Sequence, residues 1–258
     1  MARFDGRGAL ITGAASGIGR HGALRLAAEG AAIMCADLDG EGAARTAAMI
    51  DQQGGKAQAC ALDVTDEKAY AAALADTASA FGGVRVLFNN AGIGGGDLEW
   101  EPVINVNLNG VANGMFHAAP LIEESGGGAI INTASIAGLV GLVGAPPAEG
   151  EEPLEMSRGA GAYIASKHAV AGLTKQYAIA WGPRGVRVNA IAPGYIETPM
   201  TAEMRETPEG HAFLEGLHPI GRLGQPEEIA AALAFLASDD ASFVNGVVLP
   251  VDGGYTAR

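Results

Sequence analysis

Short apolar runs alternate along the chain with longer stretches in which apolar residues recur every three or four positions. The short runs predict β-strands and the periodic stretches predict amphipathic helices. The predicted strands lie near 8–12, 31–36, 57–62, 84–88, 128–133, 186–191 and 246–251. The predicted helices lie near 17–29, 40–53, 66–81, 101–124, 160–182 and 226–237. This alternation is typical of βαβ units around a parallel sheet, and no change of composition marks a linker, so we predict one α/β domain over residues 1–258.

The composition allows a large core and disfavours several classes of partner. Apolar residues make up 48% of the 258 residues and charged residues 17%, so disorder is not expected. The formal net charge of −13 disfavours nucleic acids and anionic membrane surfaces as partners. We find neither a signal-peptide pattern nor an apolar run of about 18 residues, so we expect a cytoplasmic protein that does not enter membranes.

The cysteines and histidines do not indicate a metal site. Cys35 and Cys60 lie in apolar runs, which favours two buried thiols over a disulfide or a metal-binding pair. Metal-ligand spacing is also absent among the five histidines, which are His21, His117, His168, His211 and His218. We therefore predict no metal.

A glycine-rich turn follows the first predicted strand. The segment Thr12–Gly19 has the sequence TGAASGIG, with glycines at positions 13, 17 and 19. Glycines there let the backbone turn tightly and let a pyrophosphate approach the N-terminus of the next helix. Such turns are common between strands and helices, so a purely structural turn is the alternative.

An acidic residue ends the second predicted strand, about twenty positions after the glycines. Asp37 could accept hydrogen bonds from both hydroxyls of an adenosine ribose, and it would repel a 2′-phosphate. Arg20 follows the glycine turn and is interpreted as a solvated helix residue, and no basic residue stands directly after Asp37. NAD is therefore preferred over NADP.

Polar residues also follow the next three predicted strands. Asp63 and Val64 follow the third, Asn89–Gly92 the fourth and Ser135 the fifth. Ligands of open α/β sheets bind at this edge, although turn or cap residues are the alternative for Asp63 and for the asparagines. Asn107 lies inside an apolar helical pattern, where a satisfied core amide is the alternative. The sequence has no G-x-S-x-G segment, which argues against a Ser-His-Asp hydrolase.

Tyr163 and Lys167 are four residues apart in a predicted helix and therefore share one face of it. A free tyrosine titrates at about 10, too high to accept a proton from an alcohol near neutral pH, and a nearby cation favours the phenolate. An exposed or packed helical pair is the alternative. The spacing therefore predicts proton transfer at a carbonyl or an alcohol only if other motifs of such a site are also present in the sequence.

Taken together, the motifs resemble those of the short-chain dehydrogenase/reductase family. The resemblance rests on segments in family order across essentially the whole chain: Thr12–Gly19, Asn89–Gly92, Ser135, Tyr163-x-x-x-Lys167, Pro193–Thr198 and Val251–Gly254. It implies a Rossmann-type, doubly wound, seven-stranded parallel sheet with helices on both faces. It also implies hydride transfer between a nicotinamide cofactor, here NAD, and a secondary alcohol or ketone.

The resemblance implies a role for each motif residue. Tyr163 would exchange a proton with the substrate oxygen, Lys167 would lower the pKa of Tyr163 and bind the nicotinamide ribose, and Ser135 would hold the substrate oxygen. Asn107 would anchor a water that links Lys167 to solvent. The implied cofactor-binding residues are Gly13, Ser16, Gly17, Ile18, Gly19, Asp37, Asp63, Val64, Asn90, Ala91, Gly92, Tyr163, Lys167, Pro193, Gly194, Ile196 and Thr198.

The sequence departs from the family pattern in two places, and in the family both of them form walls of the substrate pocket. The separation of Ser135 and Tyr163 is about twice the usual one, and the additional residues, about 144–160, include Pro146, Pro147, Glu149, Glu151, Glu152 and Glu155. They are interpreted as a lid or acidic rim, with a solvated surface loop as the alternative. The second departure is a short Gly92–Asn107 connection containing Gly94–Gly96, which would reshape another wall. Residues 193–224 would form a flap over the substrate, with apolar contacts from Met200, Met204 and Phe213.

The leading interpretation is an NAD-dependent dehydrogenase of a secondary alcohol. A 3-oxoacyl-thioester reductase, a polyol or sugar dehydrogenase and a cyclic dihydrodiol dehydrogenase remain alternatives. A catalytically silent NAD-binding regulator is an alternative from another class, and it predicts loss of Tyr163, Lys167 or Ser135, all of which are present. Relatives assemble through the helices predicted at 101–124 and 160–182 and through the last strand, so we expect a homotetramer, with a dimer as the alternative.

Overall fold

A computed structural model describes residues 2–142 and 157–257. Within them, seven parallel strands form one sheet in the order β3-β2-β1-β4-β5-β6-β7. The strands are β1 Gly8–Thr12, β2 Ala32–Asp37, β3 Lys56–Ala61, β4 Val86–Asn89, β5 Gly128–Thr133, β6 Val186–Pro193 and β7 Val248–Val251. The strand order reverses between β1 and β4, and in open α/β sheets this is where a ligand crevice forms.

Helices cover both faces of the sheet. They are α1 Gly17–Ala28, α2 Gly40–Gln52, α3 Glu67–Phe81, α4 Trp100–Ile104, α5 Gly110–Glu124, α6 Arg158–Trp181, α7 Pro208–Gly216 and α8 Pro226–Ala237. Helix α1 packs against α2 and α8 on one face, while α5 packs against α3 and α6 on the other. No helix in the described part of the chain is long and apolar enough to cross a membrane.

The central strand β1 is apolar from Gly8 to Ile11 because both of its faces are covered. In β1, Ala9 and Ile11 join the cluster under α1, α2 and α8, whereas Leu10 joins the cluster under α3, α5 and α6. All three side chains are fully buried. A strand buried on both faces reads as an unbroken apolar run, as parallel strands in α/β proteins do.

The predicted Rossmann-type, seven-stranded fold is confirmed, with strand and helix ends shifted by one or two residues in most cases. Strand β4 begins at Val86 instead of residue 84, because Gly82 and Gly83 have φ angles of 75° and 134° that turn the chain before it joins the sheet. Strand β7 likewise begins two residues late, after Gly246 with a φ of 80°.

Four other predictions differ from the structure. The helix predicted at 101–124 is interrupted by a π-helical turn at Asn105–Asn109 that separates α4 from α5. Helix α7 lies inside the segment predicted as an irregular flap. Helix α6 begins at Arg158, so 158–160 are helical and not part of an inserted loop. Cys35 is buried as predicted, but Cys60 is only half-buried because β3 is the edge strand.

Candidate active site

Ser135, Tyr163 and Lys167 come together at the carboxyl end of the sheet. Ser135 lies two residues after the end of β5, and the other two residues lie one turn apart on α6. The Tyr163 hydroxyl is hydrogen-bonded with Ser135. The Lys167 Nζ donates to the Thr133 carbonyl oxygen at 2.8 Å and lies 5.6 Å from the centre of the Tyr163 ring. The arrangement places a phenol, a hydroxyl and an ammonium around one point.

Burial dominates the electrostatics of these groups. It raises the pKa of Tyr163, and the hydrogen bond with Ser135 opposes that rise without cancelling it. It lowers the pKa of Lys167 from 10.5 to about 8. The predicted lowering of the Tyr163 pKa by Lys167 is therefore not seen, because both groups have lost their water.

Asn107 lies in the π-helical turn, with its side chain satisfied by the backbone. Its Oδ1 accepts from the Ile93 amide and its Nδ2 donates to the Ile93 carbonyl, both at 2.8 Å. A Cβ added to Gly92 would be 3.1 Å from Asn107 Oδ1 and 3.8 Å from Lys167 Nζ, so the two residues border the same point. The alternative of a satisfied core amide thus holds, and the water-anchoring role stays a prediction.

The glycine-rich turn suits a pyrophosphate. Gly13 and Gly17 have φ angles of 67° and 49°, which other residues rarely adopt. A Cβ on Gly19 would lie 2.0 Å from the Gly13 oxygen, so the turn closes only with glycine there. The Ser16 side chain makes no capping bond, and the first turn of α1 has no acidic residue. The first amides of this twelve-residue helix, on Gly17, Ile18 and Gly19, therefore point outward as donors for an anion.

Asp37 is held at the end of β2 by backbone amides. Its Oδ2 accepts from Ala15 N and its Oδ1 from Asp39 N, each at 2.9 Å. Each carboxylate oxygen can accept a further hydrogen bond, so the group can still receive two ribose hydroxyls. The residues therefore fit the adenosine half of a dinucleotide.

Arg20 differs from its interpretation as a solvated residue. It is partly buried, and its guanidinium donates to the Ala15 carbonyl and, at 3.1 Å, to the Thr46 hydroxyl. Arg45 is occupied as well, with Asp39 at 3.2 Å and Glu41 at 3.9 Å. Both arginines near the glycine turn and the end of β2 are thus engaged with the protein.

Asn90 and Ala91 hold the glycine turn against the sheet. Asn90 Nδ2 donates to the Thr12 carbonyl at 3.1 Å, and its Oδ1 accepts from the Thr133 hydroxyl at 3.2 Å. The amides of Asn90 and Ala91 both donate to the Thr12 hydroxyl at 3.0 Å. These residues lie where the cofactor prediction places them, but their side-chain and backbone groups are used to shape the site.

Asp63 and Val64 lie at the sheet edge beside α3 and α5. Asp63 Oδ1 accepts from both the amide and the hydroxyl of Thr65, at 2.9 and 2.7 Å, while the cap of α3 is Asp66. The Val64 carbonyl accepts from Asn113 at 3.0 Å. Asp63 is therefore a turn residue in the described structure, and contact of these two residues with an adenine stays a prediction.

The segment Pro193–Thr198 crosses over the glycine turn. Ile196 forms a β-bridge with Gly224, and the Tyr195 amide donates to His218 Nε2 at 3.2 Å. A Cβ on Gly17 would lie 3.3 Å from Thr198 Cγ2, so Thr198 sits directly above the turn. This is where the prediction places a nicotinamide-positioning segment, and the described geometry leaves Gly194 no room for a side chain beside His218.

A partly exposed apolar wall lies on the other side of Ser135. It consists of Val140, Leu142, Tyr195 and Phe213, which pack on a buried cluster around Ile136 and Leu214. Burial, with smaller contributions from nearby Tyr255 and Tyr163, raises the pKa of Tyr195 to about 12, so Tyr195 lies close to Tyr163. Phe213 was predicted to contact substrate. Met200 and Met204, the other two predicted contacts, are exposed.

The glycine run at 94–96 packs against the start of α6. A Cβ on Gly95 would be 2.6 Å from the Gly159 oxygen, and the Ser157 hydroxyl donates to the Gly96 carbonyl at 2.5 Å. The short loop therefore braces the helix that carries Tyr163. The rest of the predicted lid, including Pro146, Pro147 and its four glutamates, lies outside the described residues.

Sequence reasoning missed Thr133 and His218. The Thr133 carbonyl fixes Lys167, but every residue has a carbonyl, so the sequence contains no signal for it. His218 was considered only as a metal ligand, whereas its ring accepts a hydrogen bond from the Tyr195 amide at the start of the flap.

Two family models match the chain. One, described as short chain dehydrogenase, matches residues 7–147, and the other, described as enoyl-(acyl carrier protein) reductase, matches residues 152–256. A cyclohexanol dehydrogenase from Acinetobacter sp. (strain SE19) is 44% identical, with 99% of this chain and 97% of that protein covered.

Solved structures agree with these matches. The crystal structure of levodione reductase superposes with a TM-score of 0.89 at 36% identity, covering 99% of each chain. A structure from Agrobacterium tumefaciens, provisionally described as a 2-deoxy-D-gluconate 3-dehydrogenase with bound NADP, superposes with a TM-score of 0.84 at 36% identity, covering 98% of each chain.

Proposed function

This chain belongs to the short-chain dehydrogenase/reductase family, and we propose that it is an NAD-dependent dehydrogenase of alicyclic secondary alcohols. Family membership and the activities of its relatives make it an oxidoreductase of secondary alcohols or ketones. The cofactor, the roles of single residues and the substrate class are our proposal. The observation that carries it is the meeting of Ser135, Tyr163 and Lys167 beneath an apolar wall.

In this proposal, residues of the chain itself accept and carry away the proton of the substrate alcohol. In alcohol oxidation the substrate carbon loses a hydride and its oxygen loses a proton, and the Tyr163 oxygen accepts that proton. Ser135 holds the substrate oxygen and stabilises the charge that develops on it. Lys167 holds a positive charge beside the phenol and, with Asn107, lies on the route by which the proton leaves. A bound nicotinamide would supply the hydride acceptor or donor.

The proposed preference for NAD rests on Asp37. Its carboxylate is fixed by two backbone amides where the adenosine ribose would lie, and a 2′-phosphate at that place would meet its negative charge. The two nearby arginines are already engaged, so neither is free to neutralise such a phosphate. The related structure from Agrobacterium tumefaciens has bound NADP, so the preference of this chain for NAD over NADP needs a direct test.

The proposed substrate class rests on the apolar wall. Three of its four side chains, Val140, Leu142 and Phe213, offer no hydrogen bond to the further hydroxyls of a polyol. They do offer apolar contact to the carbons of a ring, and burying apolar area is worth about 25 cal/mol for each Å². The likeness to a cyclohexanol dehydrogenase supports the same class.

The proposed assembly is a cytoplasmic homotetramer of one-domain subunits, in which 193–224 forms the substrate flap. Two exposed apolar side chains support it on the helical face, Phe116 on α5 and Ile179 on α6, which are 63% and 73% exposed. Phe243, before the last strand, is fully exposed. Exposed apolar side chains that form a contiguous patch mark association surfaces, so these three residues are the ones to test at the subunit contacts.

Reduced-cofactor absorbance tests the proposal with NAD or NADP and a panel of alcohols. The panel contains cyclohexanol, a substituted cyclohexanol, a linear secondary alcohol, a polyol and a 3-hydroxyacyl thioester. We expect the highest kcat/KM for the ring alcohols with NAD, loss of turnover in Tyr163→Phe, and a shift toward NADP in Asp37→Ala. A preference for NADP in the wild type would refute the Asp37 argument, and a preference for the polyol would refute the argument from the wall.

A further inference from the structure

His218 lies near the C-terminal end of the flap, buried where three segments meet. Its side chain is 3% exposed, although histidine is a polar residue. It follows α7, contacts the segment Pro193–Thr198 through Tyr195 and packs against the C-terminal segment, where a Cβ on Gly253 would lie 3.4 Å from the His218 Cβ. The mechanism proposed above does not use it.

Both ring nitrogens of His218 have assigned partners. The Tyr195 amide donates to Nε2 at 3.2 Å, and Nδ1 lies 2.8 Å from the Leu214 carbonyl oxygen. A backbone amide can only donate and a carbonyl can only accept, so Nε2 must be unprotonated and Nδ1 must carry the proton. The described geometry therefore requires the neutral imidazole in a single tautomer.

The surroundings of the ring make this contact close. A Cβ on Gly194 would lie 2.9 Å from His218 Nε2, so only glycine at this position lets the segment Pro193–Thr198 lie this close to the imidazole ring. The Tyr195 ring meets the His218 ring edge-on, with centroids 5.8 Å apart, and the Tyr255 ring lies 5.9 Å away on another side. The start of the flap is thus held by one hydrogen bond and two ring contacts.

The titratable groups around His218 come from four segments. Tyr195 belongs to the flap, Glu215 to α7, and Asp252 and Tyr255 to the C-terminal segment, while Arg222 and Glu228 line the adjoining cavity. Asp252 is an anion whose charge interacts with that of His218. Its carboxylate accepts from Gly254 N, Thr256 N and the Thr256 hydroxyl at 2.6–3.0 Å, which fixes it in place.

We propose that His218 is a positioning residue that holds the segment Pro193–Thr198, the start of the flap, over the reacting groups, and that it does so only as the neutral imidazole. Protonation turns Nε2 into a donor that faces the Tyr195 N–H, and it attracts the ring toward Asp252. The segment Pro193–Thr198 then loses the anchor that places Tyr195 in the apolar wall and Thr198 above Gly17. The inference rests on the proposed roles of the wall and of Tyr163.

Two substitutions separate the two ring nitrogens. Asn can replace Nδ1 as donor to Leu214 but does not reach Tyr195, whereas Gln can present an oxygen to the Tyr195 amide in place of Nε2. With cyclohexanol and NAD, we expect His218→Asn to raise the KM for the alcohol about fivefold, the value of one neutral hydrogen bond, with kcat little changed. His218→Gln should restore a KM close to that of the wild type.

The pH dependence gives a second readout that a merely structural residue would not move. As the pH falls from about 8 to about 5.5, the wild-type KM should rise, whereas the KM of His218→Gln should stay level because an amide does not titrate in this range. Equal KM values in the two variants, or the same pH dependence in His218→Gln and the wild type, would overturn the proposal. Loss of kcat in Tyr163→Phe tests the catalytic assignment separately.

Hydrogen exchange needs neither a substrate nor a folded variant. In wild-type protein, the segment 193–201 should lose protection as the pH falls, after correction for the intrinsic rate against the segment 128–133 in β5. Where the variants fold, this loss should be present at neutral pH in His218→Asn and absent in His218→Gln. Unchanged protection of 193–201 at low pH would overturn the proposal even if no substrate is found.

Discussion

Replacing Lys167 by Met is expected to change how the stability of the protein depends on pH. The Lys167 side chain is 4% exposed, and burial lowers its pKa from 10.5 to about 8. The folded state therefore releases the proton at a lower pH than the unfolded state does. Between about pH 8 and about pH 10.5 the unfolded chain binds more protons, so the free energy of unfolding rises with pH in this window.

The size of the effect follows from the two pKa values. At about 1.4 kcal/mol for each pH unit, the buried ammonium costs about 3 kcal/mol at pH 7 relative to its neutral form. About 1 kcal/mol of this cost should be removed between pH 7 and pH 9. Removing the ammonium also leaves the Thr133 carbonyl unpaired, which costs about 1–3 kcal/mol at every pH and so does not alter the slope.

The assay is urea unfolding of cofactor-free protein at pH 7 and pH 9, at one protein concentration. The difference in unfolding free energy between the wild type and Lys167→Met should change by about 1 kcal/mol between the two conditions. Lys68→Met is the control, since Lys68 is an exposed lysine, and the change for Lys167→Met should exceed the change for this variant. A constant difference for Lys167→Met would refute the assignment of Lys167 as a buried cation with a lowered pKa.

Three further predictions concern the phenol and two glycines. Because burial raises the pKa of Tyr163 and the phenolate is the form that accepts the alcohol proton, kcat for alcohol oxidation should rise from pH 7 toward about pH 10, whereas ketone reduction should not; initial rates with saturating substrates in both directions test this. Gly13→Ala should lower stability by about 1 kcal/mol or more and weaken cofactor binding, because the φ of Gly13 is 67° and the new Cβ would lie 2.8 Å from Asn90 Nδ2. The control is Gly172→Ala, since Gly172 lies in a helix with open space around it. Equal melting temperatures for the two variants would contradict the argument. Gly95→Ala should lower the melting temperature and raise the KM for the alcohol, because its Cβ would lie 2.7 Å from the Ala160 Cα and push α6; an unchanged KM would show that the loop does not brace the site.

The sequence predicted the sheet well because its signal is local. A strand buried on both faces, such as β1 or β5, is apolar over most of its length, and turn residues follow it. Helix α7 could have been found in the same way. Thr207 caps it through the Gly210 amide, and Pro208 occupies its first position, which is a recognisable start of a helix.

Other features depend on partners that lie far away in sequence. Asn107 forms two bonds to Ile93, and a chain read in one dimension cannot show whether such an amide meets backbone, water or cofactor. Asn90 was correctly placed at the sheet edge, but its use in holding the glycine turn follows from contacts with Thr12 and Thr133. Arg20 appeared solvated because its partner Thr46 comes from the next helix.

The electrostatics of Tyr163 and Lys167 depend on burial, which the four-residue spacing does not report. The spacing argument counted the attraction between a cation and a phenolate, and it omitted the loss of water that both groups undergo in the core. In the structure burial raises the pKa of the phenol above its usual value and lowers that of the ammonium from 10.5 to about 8, so the two values move apart. A proton is therefore held more strongly by Tyr163 than by Lys167, and the phenolate that accepts the alcohol proton forms more readily at high pH. Removing the Lys167 charge should relieve the cost of burying it, but it should also abolish the proposed role of Lys167 in the proton transfer.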